Sequence, residues 1–217
     1  MRFVFFTLAA VILAFGAACD TEDRSATNSH NTAGHNSGNI PVNHSGTNHS
    51  QMDHSSMQSS PNAATAPYDL QFLDTMTAHH RAAVDMAKAI DGRTQHAELN
   101  AMAKKIISDQ EKEIAQMNKW RDEWFADEPP AINMEMTGMV DSMKTMDMKG
   151  LRTLSGNALD IEFVKQMIPH HQGASQMASD ARQRSQRDEI KTLAAQIINE
   201  QNAEILQMQG WLDAWTK

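Results

Sequence analysis

The chain has 217 residues, a net charge of −8 and a single cysteine. That acidic balance gives no electrostatic reason to expect a nucleic-acid partner, and one cysteine cannot build a disulfide framework. The 16 methionines and ten histidines are the chemistry-bearing residues whose placement has to be explained.

Residues 1–18 read as a signal peptide. Arg2 precedes an apolar run over residues 3–14, which is short for a membrane span and has the length of a secretory h-region. Small residues Gly16, Ala17 and Ala18 then lead to Cys19. A cysteine in that position resembles the lipidation site of a bacterial lipoprotein, so an exported, periplasmic, membrane-anchored protein is expected. Simple cleavage after Ala18 is the alternative.

Residues 19–67 are rich in Ser, Asn, Thr, Gly and His and nearly devoid of large apolar side chains. Such a segment cannot offset its own ordering entropy and is expected to be a disordered tether. It carries His30 and His35, and then His44, His49, Met52, His54 and Met57, which suit auxiliary metal capture. The run from Met52 to Met57 resembles the Met/His repeats of bacterial copper- and silver-resistance proteins.

Residues 68–217 hold an internal duplication. Residues 69–125 align with 160–216 without a gap at a constant offset of 91, as between Met76 and Met167. Matched positions include Phe72/Phe163, His79/His170, His80/His171, Ala83/Ala174, Met86/Met177, Gln110/Gln201, Glu113/Glu204, Met117/Met208, Trp120/Trp211 and Trp124/Trp215. Each repeat has apolar residues at helical spacing and no alternating stretch, so each predicts a helix hairpin. The first helix is expected from about residue 70 to 90 with Asp69 as N-cap, and Thr94 is expected to cap the second. In the second repeat Ser185 with Asp188 is the corresponding cap. Two hairpins make an all-α four-helix bundle with approximate two-fold symmetry. The crossover, residues 126–159, opens with Pro129-Pro130 and carries Met134, Met136, Met139, Met143, Met146 and Met148.

On a helix, positions i, i+3, i+4, i+7 and i+10 share one broad face. Met76, His79, His80 and Met86 lie there in the first repeat, and Met167, His170, His171 and Met177 in the second. Thioether sulfur and imidazole nitrogen suit a soft monovalent ion such as Cu(I), and a thioether cannot be lost to disulfide formation in an oxidising compartment. Adjacent histidines stand about 100° apart around a helix, so one is expected to point inward and its neighbour toward another helix. Gln110, Glu113, Gln201 and Glu204 are placed to orient ligand histidines, or else to form a solvated edge. Met at this spacing also serves as core filler, whereas the methionines of the crossover make a poor stripe and are read as metal-binding. Pro169 sits inside the expected helix of the second repeat, where a kink would reorient His170 and His171.

The run Pro169-His170-His171-Gln172-Gly173-Ala174 with Met177, and the later Met208 and Trp211, resembles a bacterial family of domains of unknown function, number three hundred and five. The resemblance covers residues 69–217. It implies a ferritin-like four-helix fold, with copper binding and metal tolerance outside the cytoplasm and no known reaction. The first repeat departs from the motif, with Ala78 for the proline and Ala82 for the glycine.

The sequence therefore points to a non-enzymatic, exported protein that buffers or sequesters Cu(I) in the periplasm, with Ag(I) as a second cargo, and supports metal tolerance, a metal efflux or chaperone protein being a candidate partner. A metal-free helical interaction module is the first alternative. A ferritin-like di-iron oxidase is the second, but such bundles place Glu three residues before a ligand His, where this chain has Met76 and Met167.

Overall fold

The computed structural model describes residues 57–217, and no strand occurs among them. Four long helices carry the fold: α1 (Tyr68–Ile90), α2 (Ala97–Trp124), α5 (Gly156–Arg184) and α6 (Asp188–Trp215). Two short helices, α3 (Met139–Lys144) and α4 (Met148–Thr153), lie in the crossover. The architecture is the ferritin-like bundle of two duplicated hairpins, with α1 packed on α2, α5 on α6, and α1 against α5.

The burial patterns explain this layering. On α2 only Leu99, Met102, Ala103, Ile106, Gln110, Glu113 and Met117 are buried, a single stripe at steps of three and four residues. Helix α6 repeats it with Ile190, Leu193, Ala194, Ile197, Gln201, Glu204, Ile205 and Met208. In contrast α1 is buried over most of its circumference, because it meets α2, α5 and α4. The starts of α1 and α6 meet at Asp69 and Arg187, and those of α5 and α2 at Asp160 and His96. Helices α1 and α5 therefore run antiparallel, and the approximate two-fold passes between their midpoints.

The expected caps are corrected. Helix α1 begins two residues earlier, with Pro67 at the N-cap and Asp69 in the first turn, where its charge complements the helix dipole. The N-cap of α2 is His96, not Thr94. Capping there comes from another helix, since Asp160 Oδ2 accepts from the backbone N–H of Gln95 (3.0 Å) and of His96 (3.2 Å). The N-cap of α6 is Arg187, and Ser185 Oγ accepts from its N–H at 3.0 Å. At α2 a tertiary contact replaces the local side-chain bond that the sequence suggested, while Ser185 before α6 still bonds locally.

Two further expectations change. Residues 57–67, read as the end of a disordered tether, lie along the crossover instead. Ser60 N–H donates to Ile132 O at 2.7 Å, Met134 N–H donates to Ser59 Oγ at 2.9 Å, and a 3-10 turn spans Ala63–Thr65. The crossover methionines are not a poor core segment. Met136, Met139, Met143 and Met146 are buried in the main apolar cluster, and Met134 and Met148 pack against its edge. Each fully buried methionine contributes about 1.5–3 kcal/mol, enough in sum to hold the crossover down by packing.

Helix α3 can lie close to α5 because both surfaces lack a side chain where they touch. A Cβ on Gly173 would sit 2.5 Å from both Gly138 O and Ser142 Cβ. A Cβ on Gly138 would meet Gly173 O at 2.4 Å, and Gly138 is in the left-handed region at φ +85. This approach delivers Ser142 to the histidines.

Among the described residues no helix is long and apolar enough to cross a membrane. The signal-like run, Cys19, His44, His49, Met52 and His54 lie outside the described residues.

Candidate metal centre

All four helix histidines are fully buried. His79 of α1 and His170 of α5 face each other across the two-fold, with ring centroids 3.8 Å apart and planes inclined by 38°. Their neighbours turn away, as the 100° separation requires. His80 Nε2 meets Glu113 Oε2 of α2 at 2.8 Å, and His171 Nε2 meets Glu204 Oε2 of α6 at 2.8 Å. The ring separation within a pair is 6.4 Å in both repeats, with interplanar angles of 59° and 57°. Helix α5 continues through Pro169, so the two pairs keep one internal geometry. The reorientation expected at this proline does not appear within the pair.

Each His–Glu pair joins an inner helix to the outer helix of its own hairpin. A carboxylate behind an imidazole Nε2 fixes the tautomer with Nε2–H as donor and leaves Nδ1 with its lone pair available. His80 Nδ1 and His171 Nδ1 are buried and have no hydrogen-bond partner, and neither has His79 Nδ1. His79 Nε2 lies 2.9 Å from Ser142 Oγ, whose hydroxyl also reaches Met139 O at 2.8 Å. With that hydroxyl proton given to Met139 O, Ser142 Oγ accepts from His79 Nε2–H. Burial, and then the nearby His80 and His171, push His79 well below the ordinary histidine range, so its ring is neutral at pH 7. Neutral imidazole with a free nitrogen is the form that ligates metal.

Gln110 and Gln201 are buried at matching positions, and Gln110 Oε1 and both amide atoms of Gln201 are without partners. Buried polar atoms in this state cost about 1–3 kcal/mol each, so their concentration at the middle of the bundle marks a site for a polar or charged guest. Thioether sulfur is buried in the same bundle. Met76, Met86, Met167 and Met177 are fully buried in the same cluster as Met136, Met139, Met143 and Met146. Met57, expected to help capture metal in the tether, packs partly buried against that cluster. Among the described residues no three His, Cys, Asp or Glu side chains converge into a metal-holding group. The donors gathered here are imidazole and thioether, which fit a soft ion.

Two supports were not evident from the sequence. Ser142 lies three residues after Met139, a polar residue on the face of α3 that carries the buried methionines. Lys105 Nζ donates to Glu204 Oε1 at 2.9 Å. Its only sequence signal is a mismatch between the repeats, which have Gln196 at the equivalent position.

The model of the DUF305 family, a domain of unknown function, matches residues 21–121 and 69–212. The chain belongs to the DUF305 family. Among solved structures it is similar to CopM in the Cu(I)-bound form, with 38% identity over 69% of this chain and 98% of that one and a TM-score of 0.58. CopM in the Ag-bound form gives 38% identity, 69% and 98% coverage and a TM-score of 0.59. A DUF305 protein from Streptomyces coelicolor shares 30% identity over 69% of this chain and 92% of its own, with a TM-score of 0.60. No curated protein sequence matches the chain significantly. The DUF305 fold thus accounts for the duplicated bundle, and the sulfur and imidazole content of its centre is what remains to be given a role.

Proposed function

We propose that this DUF305 protein is an exported copper-binding protein that holds Cu(I), and also Ag(I), in the His/Met centre of its bundle. It buffers the metal outside the cytoplasm and supports metal tolerance, acting as a binding protein and not as a catalyst. The observation that carries this reading is the pair of buried His–Glu units with unpartnered Nδ1 atoms, in a bundle whose core also buries the thioethers of Met76, Met86, Met167 and Met177. The likeness to CopM, solved with Cu(I), with Cu(II) and with Ag, supports it. The preference for Cu(I) over Cu(II) follows from the softness of the thioethers.

The apolar run over residues 3–14 supports export, and Cys19 is the proposed lipid anchor. His44, His49, Met52, His54 and Met57 form the proposed capture segment, and an efflux or chaperone protein is the proposed recipient.

An anaerobic titration of the mature protein with Cu(I), against a chromophoric chelator, tests the proposal. The His79/His80/His170/His171→Ala variant is expected to lose the tight binding. A Met76/Met86/Met167/Met177→Leu variant conserves core volume, and its affinity is expected to fall while its helicity is retained. Wild-type binding no tighter than that of a weak chelator, or full binding in the leucine variant, would overturn the reading.

A further inference from the structure

The two His–Glu units match in distance, but their carboxylates are differently committed. Glu204 uses both oxygens, Oε2 toward His171 at 2.8 Å and Oε1 toward Lys105 Nζ at 2.9 Å. Glu113 uses only Oε2, toward His80, and its Oε1 is buried without a partner. The cause is one residue. Helices α2 and α6 run antiparallel past each other, so the two-fold that sets Lys105 beside Glu204 sets Gln196 beside Glu113. Gln196 instead donates to Glu200 Oε1 at 3.1 Å.

Charge follows the same division. Lys105 also pairs with Asp109 at 3.0 Å, and Lys112 reaches Asp109 at 2.9 Å, so the carboxylates around the second unit are covered by cations. Lys105 thus sets an ammonium on the carboxylate of the second unit, and among the described residues no cation reaches that of the first. A carboxylate already neutralised by an ammonium is also a weaker acceptor for imidazole N–H, which lowers the basicity of the opposite ring nitrogen.

We infer that Lys105 is a positioning residue that makes the two halves of the centre unequal, so that a soft cation loads first at the His80–Glu113 half and second at the His171–Glu204 half. This runs against the motif resemblance, in which the second repeat is the better match. Lys105 stands at a groove of ≈ 570 Å³ between α2 and α6, lined also by Met102, Glu200, Ala203, Glu204 and Trp211. Its side chain is 52% exposed, so it can be replaced without disturbing the core.

The inference rests on the copper reading and is tested separately from it. Anaerobic Cu(I) is added stepwise to the mature protein with imidazole ring signals followed by NMR, beside a chelator competition. The His80 ring is expected to shift in the first step and His171 in the second. Lys105→Gln, which copies Gln196, is expected to strengthen the second step about tenfold, within the range that outer-shell changes produce, and to merge the two. Gln196→Lys is expected to weaken the first step by a similar factor, and Lys105→Arg to preserve the wild-type order. Loading of His171 first, simultaneous loading in wild type, or steps indifferent to Lys105→Gln would overturn the inference and leave the copper reading standing. No Cu(I) binding in wild type would overturn both.

Discussion

The two helix hairpins share an alignment without gaps and a His–Glu unit of 2.8 Å, yet almost everything that supports those units differs between them. At one end of the bundle Asp69 pairs with Arg187 at 3.6 Å, and the guanidinium lies 4.0 Å over Trp124. At the other, the equivalent Asp160 binds His96 at 2.7 Å, and the imidazole stacks on Trp215 at 3.9 Å. Gly173 admits the crossover to the second hairpin, while Ala82 stands at the matching place in the first. Lys105 braces Glu204, and among the described residues no cation braces Glu113. Duplication has preserved the inner geometry and let the periphery diverge, because only the inner residues sit near the two-fold and meet each other. The supports lie off the axis, and the single crossover meets the two inner helices unequally, with α3 packed on α5 and α4 on both α1 and α5.

The comparison can be broken most directly at the histidines that face the outer helices. In the metal-free protein His80→Ala removes the only side-chain hydrogen bond that Glu113 makes among the described residues, at a cost of about 3 kcal/mol. His171→Ala leaves Glu204 bound to Lys105 and is expected to cost about 1 kcal/mol less. Urea midpoints of the two variants measure the difference, and equal midpoints would refute the claimed asymmetry.

The glycine contrast comes next. Gly to Ala within a helix ordinarily stabilises by about 1 kcal/mol. Gly173→Ala is expected to destabilise by about 2 kcal/mol, because the new methyl would overlap Gly138 and Ser142. The converse change, Ala82→Gly, is expected to cost about 1–2 kcal/mol through helix propensity and the lost buried methyl. Thermal unfolding of both variants decides it, and a stabilised Gly173→Ala protein would show that the close approach is unnecessary.

The smallest effect concerns pH. His79 titrates well below its ordinary value in the folded protein, so between the folded and unfolded values the unfolded state holds the extra proton. Stability is then fully present above about pH 6.5 and declines as pH falls below it, by at most about 1.4 kcal/mol per pH unit from this group. His79→Leu is expected to flatten that part of the stability curve in metal-free protein. An unchanged slope would assign the acid sensitivity to other groups.

Much of the site was legible from the chain alone. The duplicated His pairs, the methionines around them and the polar interruptions at Gln110, Glu113, Gln201 and Glu204 follow from periodicity, and the structure sets the two glutamates against His80 and His171. Caps were the weaker part. Thr94 and Ser185 are good local formers, but Asp160 supplies the cap of α2 from 65 residues away, which no local pattern reveals. The crossover was misread for a related reason. Its methionines form no single stripe because they are spread over α3, the start of α4 and the turns around them, and these short elements pack on both α5 and α1.

Sequence by itself determined the fold class, the two-fold and the donor types, since helical spacing and exact repetition are properties of the chain. Tertiary structure alone decided that His79 meets His170, that Ser142 and Lys105 join the centre, and that Glu113 keeps an uncommitted oxygen. Those outcomes depend on which faces of separate helices come within hydrogen-bond reach, and a range of about 3 Å is set by packing and not by position along the chain.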